Sequence, residues 1–161
     1  MKKITNPFTG KADWHEYNCF GCSPNNEIGL QLEFWDDGNE LIAKWTPRKS
    51  MEGWTGVLHG GIQATLMDEM AAWVVFTKLK TSGVTSALNV EYISPVYIKN
   101  GEVTLKGRLT SKEKRVAKIS CSLFDRSGKE CANGEISYFC FPEKIAKAKY
   151  HYPGVEAFYK Q

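Results

Sequence analysis

The 161-residue sequence predicts an α+β domain in which one long helix packs against one antiparallel sheet. Three observations lead to this prediction. Residues 60–80 are helical in character and apolar on nearly every side, which indicates a buried helix. Segments before residue 47 and after Gly83 alternate between apolar and polar residues with a period of two, as half-buried strands do. The connections between those strands are short, and short connections favour antiparallel pairing.

The predicted strands fall on both sides of the helix. Residues 29–35 place Leu30, Leu32 and Phe34 on one side, residues 36–39 form a turn, and residues 40–45 return as the second strand of a hairpin. Four further strands follow the helix, and turns at residues 95–101 and 125–128 connect them. Their apolar positions are Leu88, Val90 and Tyr92; Val103, Leu105 and Leu109; Ala117, Ile119, Cys121 and Leu123; and Ile136, Tyr138 and Cys140.

The chain has the length of a single domain, which we divide into a leader (residues 1–27), a core (28–142) and a tail (143–161). From Pro153 onward the tail has room for about one helical turn.

Composition excludes several classes of protein. Hydrophobic residues make up 42% and charged residues 24% of the chain, and a formal charge of +3 is too small to predict nucleic-acid binding. No segment approaches the roughly 18 to 20 apolar residues of a membrane span, and the two N-terminal lysines precede no apolar stretch of the kind found in signal peptides. Five irregularly spaced cysteines favour free thiols in a reducing compartment. We therefore expect a cytoplasmic protein that binds neither nucleic acid nor membrane.

The beginning of the helix has the features of a binding site. His59, Gly60 and Gly61 precede its apolar residues. The first backbone N–H groups of a helix have no partner within the helix and carry partial positive charge, and glycine lets a ligand approach them closely. Such a site suits an anion, or a carbonyl oxygen that becomes an oxyanion.

Two acidic residues, Asp68 and Glu69, lie in the middle of this apolar helix. A buried carboxylate is costly unless it is paired, exposed at a cleft or shifted in pKa. For Glu69 we favour a salt bridge or exposure at a subunit boundary; for Asp68 that interpretation competes with a reactive carboxylate in a pocket. Asp68 lies about 13 Å beyond His59 along the helix, at 1.5 Å per residue. If both serve one reaction centre, they therefore come from two subunits.

The motif His59-Gly60-Gly61 with Asp68 nine positions later resembles the hotdog-fold acyl-CoA thioesterases of the phenylacetate-pathway type. The segment NVEYISP (residues 89–95) is similar to the family's strand after the helix. CFGCSPNNEIGLQLEF (residues 19–34) resembles the leader C-F-x-C-x-P-x-N-x-x-G-L that many members carry. The resemblance covers roughly residues 19–142.

The resemblance implies a hotdog fold, a dimer or dimer of dimers, and an active site at the dimer interface without a cofactor. The Gly61 N–H would then donate to the thioester carbonyl, supported by the turn at His59 and Gly60. Asp68 of the partner subunit would activate a water or attack the carbonyl itself. Thr85 is a candidate for positioning the water. The candidate substrate-binding residues are Trp54, Val57, Asn89, Arg48 and Arg115, with the two arginines as candidates for the phosphates of coenzyme A.

Two positions depart from the family pattern. Relatives often have Asn or Gln about six positions before the histidine, where this chain has Gly53. Some have a hydroxyl one turn after the acid, where this chain has Ala72, and we expect Thr85 to replace it. These departures affect turnover more than fold.

Other interpretations remain open. Cys19-x-x-Cys22 with His15 has part of a zinc pattern, and Cys140 or His151 would complete it, but no spacing selects either, so a packed leader with buried thiols and no metal is favoured. The basic stretches at residues 111–115 and 144–149 are typical of solvated surface. Trp54, Trp73 and Phe76 are most simply core residues, although Trp54 could wall an acyl pocket. The chain lacks the sequence motifs that hotdog dehydratases and hydratases carry around their catalytic histidine. A non-catalytic acyl-CoA-binding hotdog protein is the alternative function.

Overall fold

Helix α1 (Gly60–Lys78) lies against one antiparallel sheet in the computed structural model, which describes residues 1–9 and 17–160. The helix is buried on nearly all sides: Leu66, Met67 and Met70 have no exposed surface, and Trp73 is 1% exposed. This arrangement is the hotdog fold, and the prediction of an α+β domain is confirmed. Among the described residues, no helix is both long and apolar enough to cross a membrane.

The sheet contains seven strands among the described residues, in the order β1-β2-β3-β5-β6-β7-β4. The predicted hairpin and the four strands after the helix are all present. The strands are β1 (Lys2–Ile4), β2 (Phe34–Asp36), β3 (Leu41–Trp45), β4 (Gly83–Tyr92), β5 (Val103–Glu113), β6 (Val116–Phe124) and β7 (Glu130–Cys140). Short 3-10 helices occur at Lys49–Met51, Ile98–Asn100 and Val155–Tyr159, the last within the predicted helical turn of the tail.

The segment at residues 29–35 differs from its prediction. The side chains of Leu30, Leu32 and Phe34 are buried, as the alternation indicates. Strand β2 begins only at Phe34, however, because the backbone N–H groups of Leu30 and Leu32 donate to the carbonyls of Phe20 (2.7 Å) and Gly21 (2.9 Å). Alternation reports which side is buried, but it does not report the hydrogen-bond partner.

Three further differences concern two elements that were not predicted and the end of helix α1. Strand β1 pairs with β2, and helix α2 (Glu143–Lys149) follows β7; neither was predicted. Helix α1 ends at Lys78 rather than near residue 80, because Lys80 adopts a positive φ of 55° that ends helical geometry.

Asp36 in β2 connects three elements near the end of α1. Its carboxylate accepts hydrogen bonds from Lys78 Nζ (2.7 Å) and from the Tyr159 hydroxyl (2.6 Å). The side chain of Asp36 is only 12% exposed and that of Lys78 22%. Burial acts to raise the pKa of the Asp36 carboxyl, but the Lys78 and Tyr159 hydrogen bonds outweigh it, so the pKa is below its usual value. The ionised form thus stabilises the folded state.

We expect Asp36→Asn to lower the free energy of unfolding by about 1–3 kcal/mol at pH 7, as expected for hydrogen bonds to a partly buried charge. Because the folded pKa is depressed, this stabilisation is present above the unfolded pKa and is lost as pH falls through the folded pKa. Urea unfolding at pH 7 and near pH 3 measures the difference. Glu33→Gln removes the exposed pair with Lys3 and serves as the control, with an expected loss under about 0.5 kcal/mol. An equal loss for Asp36→Asn at both pH values would contradict the assignment.

Candidate functional site

The first turn of α1 is capped by its own histidine. His59 Nδ1 accepts a hydrogen bond from the Gly61 N–H at 2.8 Å, and the His59 carbonyl accepts from the N–H groups of Ile62 and Gln63. As an acceptor, Nδ1 is unprotonated, so the neutral ring carries its proton on Nε2. The N–H predicted to bind a substrate carbonyl is therefore engaged with the imidazole, and a substrate oxygen has to replace that ring as its acceptor.

Tyr92, at the end of β4, packs on this turn. Its hydroxyl donates to the Gly60 carbonyl at 2.7 Å, and a Cβ added at Gly60 would lie only 3.2 Å from the Tyr92 ring. A glycine at this position thus leaves room for the tyrosine. The sequence analysis placed Tyr92 only on a strand face, and no spacing signal connected it to the helix start 32 residues earlier.

Gly53 lies beside the imidazole, because a Cβ added there would be 3.3 Å from His59 Cδ2. The position six residues before the histidine is therefore adjacent to it in space. This chain has no side chain there to contact the ring.

Two cavities flank the helix start, and His59 lines both. One, of about 690 Å³, is lined by Arg48, Met51, Gly61 and Thr65 among others. The other, of about 890 Å³, is lined by Trp54, Val57, Gly60, Gln63 and Tyr92 among others. A carbonyl at the helix start therefore has space on either side for the two arms of a larger molecule.

The predicted substrate-binding residues are placed differently from one another. Trp54 and Val57 line the larger cavity; Trp54 is 86% exposed, so its interpretation as a core residue is wrong. The Arg48 guanidinium donates to the carbonyls of residues 27–29 and so holds the leader against the loop before α1. Asn89 in β4 and Arg115 in the β5–β6 turn line neither cavity.

Gln63 is a polar residue of this site whose role the sequence analysis missed. It is 4% exposed, its amide donates to the Leu58 carbonyl at 3.2 Å, and its Oε1 has no hydrogen-bond partner among the described residues. A buried acceptor without a partner is costly, which marks the larger cavity as a place where a donor from a ligand would be stabilising.

Asp68 and Glu69 face different neighbours. Asp68 Oδ1 accepts a hydrogen bond from the Thr85 hydroxyl in β4 at 2.5 Å. Glu69 Oε1 accepts from the Trp73 indole at 3.0 Å, on the side of the leader. Burial is the main cause that raises the pKa of Glu69 to about 7. Successive helix residues differ by about 100° in direction, which explains why adjacent acids reach different surroundings.

Neither acid forms a salt bridge in the part of the chain that the structure describes. Thr85, which was predicted to replace a hydroxyl that some relatives have at the position of Ala72, donates a hydrogen bond to Asp68. Asp68 lies seven residues beyond Gly61, roughly 10 Å along the axis. Within one chain the acid and the helix start are therefore too far apart to contact the same small group.

The cysteines are all free thiols. Cys19 and Cys22 lie beside Glu69, whereas Cys140 and His151, the fourth ligands considered above, are not part of that group. His15 lies outside the described residues.

The amino-acid sequence is similar to a protein family and to a relative of provisional assignment. Residues 55–132 match the sequence model of the thioesterase superfamily. A Saccharolobus solfataricus protein with a provisional esterase assignment is 29% identical over 108 residues, which cover 66% of this chain and 70% of that protein. Over residues 55–132 the chain is thus similar in sequence to the thioesterase superfamily.

Two solved structures show the same fold. A hypothetical thioesterase from Streptococcus pneumoniae with coenzyme A has a TM-score of 0.64 at 18% identity, covering 70% of this chain and 87% of the other. A Streptococcus mutans protein bound to acetyl-CoA has a TM-score of 0.66 at 16% identity, covering 80% of this chain and 96% of the other. These structural homologues bind coenzyme A or acetyl-CoA, and at these identities they establish the fold of the present chain.

We expect His59→Ala to lower the free energy of unfolding by about 1 kcal/mol, because the substitution removes the acceptor that caps Gly61. His59→Asn retains a short side-chain acceptor and should cost less. Urea unfolding of the two variants measures both values. Equal losses for Ala and Asn would show that the cap contributes no stability.

Proposed function

We propose that this chain, which has the hotdog fold, is a member of the thioesterase superfamily and hydrolyses the thioester of an acyl-coenzyme A or a related carrier. One observation carries the proposal: a helix start capped only by His59, between two cavities, occurs together with a carboxylate, Asp68, held by a hydroxyl on an edge strand. Acyl transfer needs a donor for the developing oxyanion and a group that activates water, and these two features supply them.

The helix start binds the carbonyl oxygen of the thioester. When the thioester binds, its oxygen replaces His59 Nδ1 as the acceptor of the Gly61 N–H. The partial positive charge of the helix N-terminus then stabilises the negative charge that develops on this oxygen. Gly60 carries no side chain that would block the approach, and His59 stays close enough to position the substrate.

Asp68 acts at the carbonyl carbon of the thioester. Asp68 either removes a proton from a water that adds to this carbon or adds to it directly, forming an anhydride that water then cleaves. In both routes the carbon–sulfur bond breaks, the thiolate leaves and takes up a proton, and the free acid remains. The Thr85 hydroxyl orients the carboxylate and is placed to hold the water.

The site is completed by a second copy of the chain. Strand β4 has β7 on one side and no strand on the other among the described residues, so ten residues of backbone present an unpaired edge. Leu88 and Tyr92 on this strand are 40% and 54% exposed. Edges of this length are normally covered, and pairing with a second β4 covers this one and carries each Asp68 toward the partner's helix start. A tetramer would then be a dimer of such dimers.

The two cavities accommodate the arms of the substrate on either side of the thioester. Trp54 and Val57 wall the larger one, and the unpartnered Gln63 Oε1 accepts a hydrogen bond from an amide N–H of the carrier arm. Asn89 and Arg115 lie away from the cavities of their own chain, so any substrate they contact is bound mainly by the partner.

Asp68→Asn should lower the rate of coenzyme A release by about a thousandfold, because the amide neither accepts the water proton nor attacks the carbonyl. A panel of short, medium, long and aromatic acyl-CoAs with a thiol-detecting reagent measures the rate and identifies the acyl class. Glu91→Gln, on the same edge strand, is the matched control and should retain activity.

If neither the wild type nor Asp68→Asn hydrolyses any thioester while the wild type still binds acyl-CoA, the alternative of a non-catalytic acyl-CoA-binding protein replaces this proposal. Retained activity in Asp68→Asn would assign the base to another residue, with Glu69 as the adjacent candidate.

Subunit complementation tests the shared site. Gly61→Pro removes the oxyanion donor and Asp68→Asn removes the acid, so each homodimer should be inactive. When the two variants are mixed so that their subunits pair at random, half of the dimers contain one subunit of each variant. Each of these hybrid dimers has one intact site out of two, so the mixture should recover about a quarter of wild-type activity. Size-exclusion chromatography and unfolding curves check assembly and fold. Absence of any recovery in well-assembled hybrids would place both groups in the same chain.

A further inference from the structure

A second cluster of reactive groups lies beside Glu69, on the side of α1 facing the leader. The Sγ atoms of Cys19 and Cys22 and a carboxylate oxygen of Glu69 all lie within 4.8 Å of one another. Cys22 is 4% exposed, and Cys19 and Glu69 are partly buried. The proposed hydrolysis uses Asp68 and leaves these three groups without a role.

The turn at Cys19-x-x-Cys22 brings two thiols together. The Ser23 N–H donates to the Cys19 carbonyl at 3.1 Å and closes the turn. Both sulfur atoms then lie within 4.8 Å of each other and of a Glu69 carboxylate oxygen. A thiolate is the form of cysteine that binds metal ions.

Gly21 gives the carboxylate access to this turn. A Cβ added at Gly21 would collide with the Glu69 carboxyl group. The missing side chain therefore lets Glu69 reach between the two thiols. The Trp73 indole donates to Glu69 Oε1 at 3.0 Å and fixes the carboxylate, as outer partners of metal ligands do.

The distances match those of a tetrahedral cation site. Zinc–sulfur bonds of about 2.3 Å and zinc–oxygen bonds of about 2.1 Å at tetrahedral angles put the sulfur and oxygen about 3.6 Å apart. Cys19 Sγ lies 3.6 and 3.7 Å from the two Glu69 oxygens. Cys19 and Glu69 are thus at the separation of two ligands of one cation, and Cys22 Sγ lies within 4.8 Å of both.

The charges in the cluster also call for a cation. The contacts described for the Glu69 carboxylate come from thiols and an indole, none of which is positively charged. Two or three acidic groups gathered in a partly buried space are costly as anions, and a divalent ion removes this cost.

We propose that Cys19, Cys22 and Glu69 bind one thiophilic divalent cation of the zinc class, which fastens the leader to helix α1. The fourth position takes a water from the adjoining cavity of about 360 Å³, which Cys19 and Glu69 both line. The Tyr17 hydroxyl lies 2.8 Å from Cys22 Sγ, within hydrogen-bond distance of that ligand. The proposal does not depend on the hydrolytic activity.

The test uses the full chain, purified without an affinity tag or chelator. Elemental analysis should find about one zinc per chain. After zinc removal, titration with Co²⁺ should produce thiolate-to-cobalt charge-transfer absorption that saturates at one equivalent. Cys19→Ser, Cys22→Ser and Glu69→Gln should each weaken Co²⁺ binding at least tenfold. Cys131→Ser, which removes a buried thiol elsewhere, should bind as the wild type does.

Two results overturn the proposal: a wild-type chain that gives no charge-transfer band with Co²⁺, and a band that the three ligand variants leave unchanged. If a ligand variant fails to fold, the wild type alone decides. A chelator should remove its zinc and lower its melting temperature, and added Zn²⁺ should restore both; an unchanged melting temperature contradicts a cation that fastens the leader.

Discussion

The enclosure of helix α1 by the sheet is the constraint on which the rest of the molecule depends. Because Leu66, Met67 and Met70 are fully buried, most of the helix surface is inaccessible to a ligand. Chemistry on this helix is therefore confined to its first turn and to the two flanks where polar groups emerge. The helix start, the flank toward β4 and the flank toward the leader are those places, and each carries one of the features described above.

The fold was largely predictable because its main elements are regular in sequence. Period-two alternation located the hairpin and the four later strands, and the uniformly apolar helix indicated its burial. The prediction failed where partners are distant in sequence. Residues 29–33 alternate as a strand does but bond to the leader, and β1 pairs with a strand about thirty residues later, which no local pattern reports.

The candidate site was predictable in its motif and not in its contacts. The spacing from His59 to Asp68 indicated that one chain cannot bring both to one atom, and Thr85 was named as a candidate hydroxyl without its hydrogen bond to Asp68 being predicted. The capping of Gly61 by His59, the position of Tyr92 and the bonds of Arg48 to the leader depend on side-chain directions and on loops that fold together. An arginine that binds a phosphate cannot be distinguished, from the sequence alone, from an arginine that donates to backbone carbonyls.

Asp68 and Glu69 are adjacent carboxylates in a buried helix, but their side chains have different partners. Through Glu69, the leader is connected to the helix that begins at the candidate site. Asp68 accepts a hydrogen bond from the Thr85 hydroxyl at a strand edge, whereas Glu69 is enclosed by the leader. The leader is held by Glu69 at the cysteines, and the segment at residues 27–29, where the leader ends, is held by the Arg48 guanidinium. Phe20 and Ile28, which belong to these two segments, line the cavity next to His59. A cation at Glu69 would therefore fix one wall of that cavity without contacting the reacting thioester.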